Sequence, residues 1–268
     1  MVKIKISLLI GLASMLLVAC GGGGGGDNSS SSSTTTSYTG KGSSVYNLDW
    51  STHTNPDGSS HQALTGSIIS ETAPGATLVP ITYAGSNGGS TNWVSVMSNT
   101  LAGMTSGQIL NISAYSGGST SATINAPANK PNVVVTLSAG NYATPTLSTS
   151  EVATLYNSAY NQNLIIVGAL GANGSIASYS STAGGAADRF VVIDGTGTGS
   201  PYSGTSYSAP RIAGYAAIIK QKYPNATGEQ IASAILNTAV LQPGWDAATY
   251  GRGKADLNAA LNYLGTAK

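Results

Sequence analysis

The chain has 268 residues, of which only 8% are charged, and its formal net charge is +1. This balance argues against a nucleic-acid partner, because phosphate binding needs concentrated Lys and Arg. Hydrophobic residues make up 41% of the chain, enough for one core of domain size. The single cysteine, Cys20, excludes an intrachain disulfide. The only two histidines, His53 and His61, argue against a multi-histidine zinc site, and we expect no metal and no cofactor.

The N-terminal 20 residues have the pattern of a secretory signal peptide. Lys3 and Lys5 precede the apolar run ISLLIGLASMLLVA, which is too short for a transmembrane span and leads into a polar linker. The tetrad LVAC, which ends at Cys20, resembles the lipobox of bacterial lipoproteins. That resemblance implies cleavage before Cys20, lipidation of this residue, and export to the outer membrane or cell surface of a bacterium. The alternative is an ordinary signal peptide that contains a chance cysteine.

A Gly/Ser/Thr-rich stretch follows at residues 21–37, and it contains nothing to bury. It predicts a flexible tether with a reach of about 20–25 Å. We find no internal repeat and no second linker downstream. Residues 38–268 are therefore predicted to form one domain, which we expect to be monomeric.

Apolar, β-branched runs alternate with helix-like stretches along the predicted domain. Strands are predicted at 43–49, 77–83, 108–113, 132–140, 163–170 and 189–195. Helices are predicted from His61, at 92–102, at 148–162, after Ser206, and from a Thr227 cap with Gln230 at the capping-box position. Continuous apolar strands separated by helices indicate a parallel sheet covered on both faces. The predicted fold class is therefore α/β, a three-layer αβα domain with a mostly parallel central sheet.

The stretch GTSYSAPRIAG, from Gly204 to Gly214, places the hydroxyl of Ser206 at the start of a predicted helix. One interpretation is a helix cap. The other is a nucleophile in the field of a helix N-terminus, which favours developing negative charge. A nucleophilic serine also needs a base and a group that orients the base. His61 and Asp49 could supply these, in the chain order Asp, His, Ser.

These segments resemble the subtilisin-like serine proteases, or subtilases, over nearly all of residues 38–268. GTSYSAPRIAG is similar to the family motif Gly-Thr-Ser-x-Ala-x-Pro, with Ser208 in place of the alanine. VVVTLSAGN resembles the family strand whose final asparagine, Asn141 here, supplies an oxyanion donor; the alternative is a turn residue after a strand. TAPGATLVPI and YGRGKADLNAAL resemble the strand after the catalytic histidine and the C-terminal turn and helix. An α/β-hydrolase is discounted, because Ser208 occupies the last glycine position of its Gly-x-Ser-x-Gly elbow.

Two segments depart from the family pattern. HQALTGSII aligns His61 with the catalytic histidine, but Gln-Ala replaces the usual Gly-Thr pair. TGKGSSVYNLDWS aligns Asp49 with the catalytic aspartate, but Trp-Ser replaces Thr-Gly. The interval from Asp49 to His61 is 12 positions, much less than is usual in the family. Asp57, in the turn NPDG, is a rival to Asp49 but has the sequence context of a turn former, and His53 has that of a loop residue.

The resemblance implies a serine endopeptidase that hydrolyses polypeptides through Asp49, His61 and Ser206. Asn141 and the Ser206 N–H would bind the oxyanion. The two departures keep a second hypothesis open, a surface-tethered pseudoprotease that binds peptides or proteins without cutting them.

The resemblance also implies a substrate-binding edge in the segment SAYSGG and the neighbouring SAGN. The residues implied are Ser113, Ala114, Tyr115 and Gly140, against which a peptide would add as a further strand. The alternative for SAYSGG is a flexible loop.

Overall fold

The computed structural model describes residues 37–50, 54–55, 57–83, 93–115, 124 and 130–266. The predicted signal peptide with Cys20 lies outside these residues, as do the predicted tether except Ser37, and His53. No helix within the described ranges has the length and apolar character needed to cross a membrane.

Within the described ranges, the central sheet has six strands, and every pairing between them is parallel. The strands are β1 (Ser44–Trp50), β2 (Thr77–Tyr83), β3 (Ile109–Ile112), β4 (Val134–Ser138), β5 (Leu164–Leu170) and β6 (Phe190–Asp194). The helices are α1 (His61–Thr72), α2 (Trp93–Gly103), α3 (Ser150–Tyr156), α4 (Thr205–Lys222), α5 (Gly228–Thr238), α6 (Ala247–Tyr250) and α7 (Leu257–Thr266). The predicted fold class is confirmed.

The strand order β2-β1-β3-β4-β5-β6 places β1 between β2 and β3. The chain first moves outward from β1 to β2 and then crosses back to β3, so the direction of winding reverses beside β1. Because crossovers between parallel strands are right-handed, this reversal puts α1 and α2 on opposite faces of the sheet. The connections after β1 and β3 lead to strands on opposite sides of this pair, and ligands of open α/β sheets bind at such a reversal.

Each face of the sheet has its own hydrophobic core. One core joins Leu48, Leu110 and Val135 to residues of α2 and α3, including Trp93 and Leu155. The other core joins the alternate strand residues to α1, α4, α5 and α7. Its buried members include Val45, Ile109, Val134, Ile69, Ala213 and Ile235. The period-2 alternation of side chains along each strand produces this division.

On the α4 face, the side chains change from apolar to polar along three adjacent strands. Val45, Ile109 and Val134 form an apolar row in mutual register. Two residues further along, Asn47, Asn111 and Thr136 form a buried polar row in the same register. The polar row lies directly before the carboxyl ends of the strands, where the candidate site begins.

The helix predicted at 148–162 is shorter than expected and ends at Tyr156. The hydroxyl of Ser158 donates to the carbonyl of Leu155 at 2.7 Å, and Asn161 Nδ2 donates to that of Tyr156 at 2.7 Å. These side chains satisfy helix carbonyls that a further turn would otherwise occupy. A short 3₁₀ turn, Asn161–Asn163, then leads into β5.

Candidate active site

The carboxyl end of β1 and the first residue of α1 bring an aspartate and a histidine together. Asp49 is the penultimate residue of β1, and His61 begins α1 directly after its N-cap, Ser60. His61 Nδ1 lies 2.9 Å from Asp49 Oδ1 and 2.8 Å from Oδ2. Both side chains are buried, with 0% of Asp49 and 6% of His61 exposed. The short connection therefore still allows a close carboxylate–imidazole pair.

The buried carboxylate of Asp49 accepts hydrogen bonds from two further groups. The backbone N–H of Trp50 donates to Oδ1 at 2.8 Å, and the hydroxyl of Thr65 donates to Oδ2 at 2.8 Å. A buried charge is tolerated when it is paired and hydrogen-bonded, and here both oxygens have donors.

Asp57, the rival aspartate, has a different environment. It is exposed, and its Oδ1 accepts from the backbone N–H of Ser59 at 2.9 Å and from the Ser59 hydroxyl at 2.6 Å. These bonds to Ser59 lower the pKa of Asp57 below its usual value. Asp57 therefore acts as a turn former, as the NPDG motif predicts.

Ser206 is the second residue of α4, whose N-cap is Gly204, and it is 7% exposed. Pro210 lies four residues further on, within the helix. Because proline has no N–H, it cannot donate the helical hydrogen bond to the Ser206 carbonyl. That carbonyl instead accepts from the hydroxyl of Ser113 at 3.1 Å. The proline thus leaves a carbonyl in the first turn of α4 available for a hydrogen bond from Ser113, which follows β3.

The bond between Ser113 and Ser206 is reciprocal. Ser206 Oγ donates to the carbonyl of Ser113, with 3.3 Å between the two oxygens. The candidate nucleophile therefore lies directly against the segment predicted to bind substrate.

Two aromatic rings flank the imidazole of His61. The ring centroid of Trp50 is 5.4 Å away in an edge-on arrangement, and that of Tyr207 is 5.5 Å away and tilted. Tyr207 follows Ser206 in α4, so this contact brings the start of α4 next to His61. Burial, with Asp49 as a second cause, raises the pKa of Tyr207 to about 12, so its hydroxyl is neutral near neutral pH.

The side chain of Asn141 is held at the start of α4. Its Oδ1 accepts from both the backbone N–H and the hydroxyl of Thr205, each at 2.9 Å. Because Oδ1 is occupied by these donors, the amide Nδ2 is the group left to face a ligand. Nδ2 lies near Gly204, where an added Cβ would be only 3.3 Å away.

The N–H groups at the start of α4 have separate partners. The N–H of Thr205 bonds to Asn141, and that of Tyr207 bonds to the carbonyl of Gly204 at 3.0 Å. Among the described residues we find no acceptor for the N–H of Ser206. This N–H and Asn141 Nδ2 form a pair of donors suited to an anionic oxygen.

Gly140 sets the direction of the chain before Asn141. Its φ is +102°, and an added Cβ would lie 3.0 Å from Ser181 Oγ and 3.2 Å from the ring of Tyr142. Its N–H donates to the hydroxyl of Thr205 at 3.2 Å. A residue without a side chain is needed here to bring Asn141 to the start of α4.

The predicted substrate edge leaves the sheet after β3. Ser113, Ala114 and Tyr115 are all buried, and the carbonyl of Ala114 accepts from the indole N–H of Trp93 at 2.9 Å. Ser116 to Gly118, the remainder of the predicted SAYSGG edge, lie outside the described residues. The described part of the edge is thus a buried, hydrogen-bonded segment directly beside Ser206.

Ser208, the departure from the family serine motif, lies away from these contacts. Its buried hydroxyl lies 3.4 Å from the carbonyl of Ile193 and 3.2 Å from that of Asp194, both in β6. The substitution therefore adds a buried hydroxyl that is hydrogen-bonded to β6.

Sequence reasoning did not identify several residues that shape the site. Thr65, Thr205 and Tyr207 contact Asp49, Asn141 and His61 respectively. Thr65 has no sequence feature that distinguishes it from a helix-surface residue, whereas Thr205 is the threonine of the Gly-Thr-Ser motif, which gave no indication of its bond to Asn141. A signal did exist for the polar row: VYNLD, ILNIS and VVTLS each place polar residues at alternate positions of an apolar strand.

Comparison with known proteins adds independent information. The model of the Subtilase family matches residues 54–259. Subtilisin E from Bacillus subtilis (strain 168) is 32% identical over 234 residues, covering 78% of this chain and 58% of Subtilisin E. Mycosin-4 from Mycobacterium tuberculosis is 43% identical over 63 residues, covering 23% of this chain and 14% of Mycosin-4. This chain therefore spans less than two thirds of the length of these relatives.

Solved structures share the fold at lower sequence identity. A protease from Pseudoalteromonas arctica superposes with a TM-score of 0.58 at 20% identity, covering 84% of this chain and 91% of that one. A cold adapted subtilisin-like serine proteinase gives a TM-score of 0.58 at 19% identity, covering 82% of this chain and 88% of that one. These similarities support the three-layer α/β architecture.

Proposed function

Because the chain belongs to the subtilase family, we propose that it is a serine endopeptidase with Asp49, His61 and Ser206 as its catalytic triad. The observation that carries this proposal is the 2.8 Å contact between Asp49 Oδ2 and His61 Nδ1. A base for Ser206 needs a fixed tautomer, and a carboxylate at Nδ1 leaves Nε2 as the basic nitrogen.

In the proposed reaction, Ser206 Oγ attacks the scissile carbonyl carbon while its proton moves to His61 Nε2. The resulting imidazolium is stabilised by the charge of Asp49. Collapse of the tetrahedral intermediate breaks the C–N bond, and the same proton passes to the leaving amine. Water then repeats the sequence on the acyl-enzyme and releases Ser206.

Two donors are proposed to bind the oxyanion of the tetrahedral intermediate, namely Asn141 Nδ2 and the N–H of Ser206. The bonds from Thr205 to Asn141 Oδ1 support this role, because they fix the amide before substrate arrives. Donors that are already oriented need no reorganisation during the reaction, which is the main source of their catalytic effect.

Polypeptide substrate is proposed to add as a strand beside Ser113–Tyr115. The carbonyl of Ser113 accepts from Ser206 Oγ in the structure. A peptide N–H that donates to this carbonyl would compete for it and release the serine hydroxyl to His61. Binding of substrate would thereby prepare the nucleophile.

The proposal is tested by the hydrolysis of an unfolded protein such as casein. Ser206→Ala should abolish hydrolysis, because it removes the nucleophile. Ser208→Ala is a matched control two residues away, since its hydroxyl bonds to carbonyls of β6 and to no other group in the described part of the chain, and it should retain activity. Equal activity of Ser206→Ala and the wild type would show a different nucleophile. Binding of casein without hydrolysis by the wild type would favour the pseudoprotease.

We also propose that the mature chain starts at Cys20 and is anchored by lipid at a bacterial outer membrane or cell surface. The tetrad LVAC and the linker after it support this. Lipid contributes about 0.8 kcal/mol per buried CH₂, so two or more chains give firm attachment. Cys20→Ser should move the protein out of the membrane fraction or stop its processing. Unchanged fractionation and processing would contradict the anchor.

A further inference from the structure

A continuous set of buried side-chain hydrogen bonds connects the polar row of the sheet to Asp49. Asn111 Nδ2 donates to Asn47 Oδ1 at 2.8 Å, and Asn47 Nδ2 donates to Thr65 Oγ1 at 3.0 Å. Thr65 Oγ1 then donates to Asp49 Oδ2 at 2.8 Å. Asn47, Thr65, Asn111 and Asp49 have exposed fractions of 0–1%. The row therefore ends on the carboxylate of the proposed triad.

The direction of these bonds is determined by the number of protons available. The amide Nδ2 of Asn47 is a donor only, so Thr65 Oγ1 must accept from it. The single hydroxyl proton of Thr65 can then go to Asp49 Oδ2 at 2.8 Å or to the carbonyl of Gln62 at 3.1 Å. The carboxylate is nearer and charged, so it is the stronger acceptor.

The orientation of the Asn47 amide is itself fixed from the neighbouring strands. Its Oδ1 accepts from Asn111, whose own Oδ1 accepts from the hydroxyl of Thr136 at 3.0 Å. Because Thr136 occupies Asn111 Oδ1 as a donor, Asn111 presents its Nδ2 to Asn47. The rigid parallel sheet thus presents a donor to Thr65.

Among the described residues, the carboxylate of Asp49 has two donors besides the imidazole, one on each oxygen. The N–H of Trp50 holds Oδ1, and the hydroxyl of Thr65 holds Oδ2. With both donors the plane of the carboxylate is fixed, whereas with only one it could rotate about the Cβ–Cγ bond. His61 Nδ1 contacts both oxygens, so rotation would weaken its bond to Asp49.

We propose that Thr65, oriented by Asn47, is a positioning residue that fixes the carboxylate of Asp49 against His61. This role rests on the proposed triad, because it acts through Asp49 and not on substrate. A purely space-filling role for Thr65 would be served equally well by valine, which has the same shape without the hydroxyl.

Thr65→Val and Thr65→Ser separate the two roles. Thr65→Val should lower kcat by about tenfold or more, the effect expected for a lost bond to a charged group, and leave KM within about twofold. Thr65→Ser restores the hydroxyl and should recover most of kcat. Thr238→Val, the same change in α5, removes a hydroxyl that donates to the carbonyl of Ala234 and should leave kcat unchanged.

A double-mutant comparison tests whether Thr65 acts through Asp49. In an Asp49→Asn background, Thr65→Val should cause no further loss of kcat, because the carboxylate that it positions is gone. An equal loss in both backgrounds would overturn the proposal in favour of a structural role. If Thr65→Val fails to fold, Asn47→Leu is the second variant, because it keeps the Thr65 hydroxyl and removes the amide that donates to it. It should lower kcat by about threefold with KM unchanged.

A spectroscopic measurement makes the test independent of turnover. The Nδ1 proton of His61, bonded to Asp49, should give a downfield proton NMR resonance in the full chain. Thr65→Val should shift or broaden this resonance, while Thr65→Ser and Thr238→Val should not. An unchanged resonance together with wild-type kcat in Thr65→Val would overturn the proposal. If the wild-type protein hydrolyses no substrate but the resonance still changes in Thr65→Val, the proposed peptidase function is rejected and the positioning role is retained.

Discussion

Two aspartates lie near the connection between β1 and α1, and their surroundings give them different roles. Asp49 is fully buried and bonded to His61, whereas Asp57 is exposed and bonded to Ser59. A carboxylate can orient an imidazole only if it is held against the ring. The sequence predicts Asp49 as the carboxylate that orients His61, with Asp57 as its rival. The two side chains differ in burial and in hydrogen-bond partners.

Asp49→Asn should lower kcat by about 10⁴, because the amide no longer favours the tautomer that leaves Nε2 basic. Asp57→Asn is the matched control and should have almost no effect on kcat. Steady-state kinetics on one peptide substrate would compare the two variants. A greater sensitivity of Asp57 would mean that the triad carboxylate is misassigned.

Asn141→Ala should lower kcat by about 10²–10³ and leave KM nearly unchanged, because its bond to the oxyanion forms only in the transition state. Thr205→Val, which removes one of the two bonds to Asn141 Oδ1, should have a smaller effect in the same direction. Both parameters can be measured with a single chromogenic peptide. A loss confined to KM would assign Asn141 to substrate binding instead.

At the scale of single residues, the motifs predicted the contact between Asp49 and His61 but not the contacts that support it. Asp49 and His61 were paired from an ungapped alignment of degraded motifs, and they lie in contact. The motifs did not predict the bond from Thr65 to Asp49, which joins residues 16 positions apart in the sequence. Such a contact depends on how α1 packs on β1, which no local pattern specifies.

At the scale of elements, the relation between His61 and Ser206 depends on how α1 packs against α4. Gly214 of α4 faces Thr72 of α1 so closely that an added Cβ would lie 2.5–2.6 Å from two carbon atoms of Thr72. Absence of a side chain therefore permits the close approach of the helices. His61 begins α1 and Ser206 lies in the first turn of α4.

Gly214→Ala should force the two helices apart and reduce the unfolding free energy by about 1–3 kcal/mol. It should also lower kcat, since both proposed catalytic residues move with their helices. Gly103→Ala is the control, because an added Cβ in α2 meets nothing within 4 Å. Urea unfolding and kinetics on the same preparations would test this. Wild-type stability in Gly214→Ala would show that the interface can accommodate a methyl group.

The strands were easier to predict than the ends of helices. β5 is a continuous apolar run and β2 is rich in β-branched residues, and the predicted bounds of both agree with the structure to within one residue. The helix predicted at 148–162 was too long because Ser158 and Asn161 capture its last carbonyls. Whether a polar side chain turns back onto the backbone is decided by its surroundings, so composition alone could not place that end.

At the scale of the whole molecule, buried tyrosines link stability to pH. Among the described residues, burial is the largest cause of a raised pKa in seven tyrosines, four buried and three half-buried: Tyr83, Tyr115, Tyr160 and Tyr207, and Tyr156, Tyr179 and Tyr215. The folded state therefore favours the neutral phenol more than the unfolded state does. This contribution to stability is complete below the unfolded pKa of about 10 and is lost as the pH rises through the folded values.

We expect the urea midpoint to fall between about pH 9 and about pH 11, as the unfolded tyrosines lose their protons. Tyr207→Phe should lessen this fall, because the pKa of Tyr207 is raised to about 12. Parallel titrations at constant ionic strength would separate this effect from screening. A midpoint that stays constant over this interval would contradict the linkage.

Covalent labelling shows whether Ser206 is an activated nucleophile. A fluorophosphonate reacts with a serine only when a base has activated it. The wild-type protein should be labelled on the peptide that contains Ser206, as located by mass spectrometry. Asp49→Asn should slow the labelling strongly, while Ser208→Ala should not. An unlabelled wild-type protein that is nevertheless folded, or a label on another residue, would contradict the account.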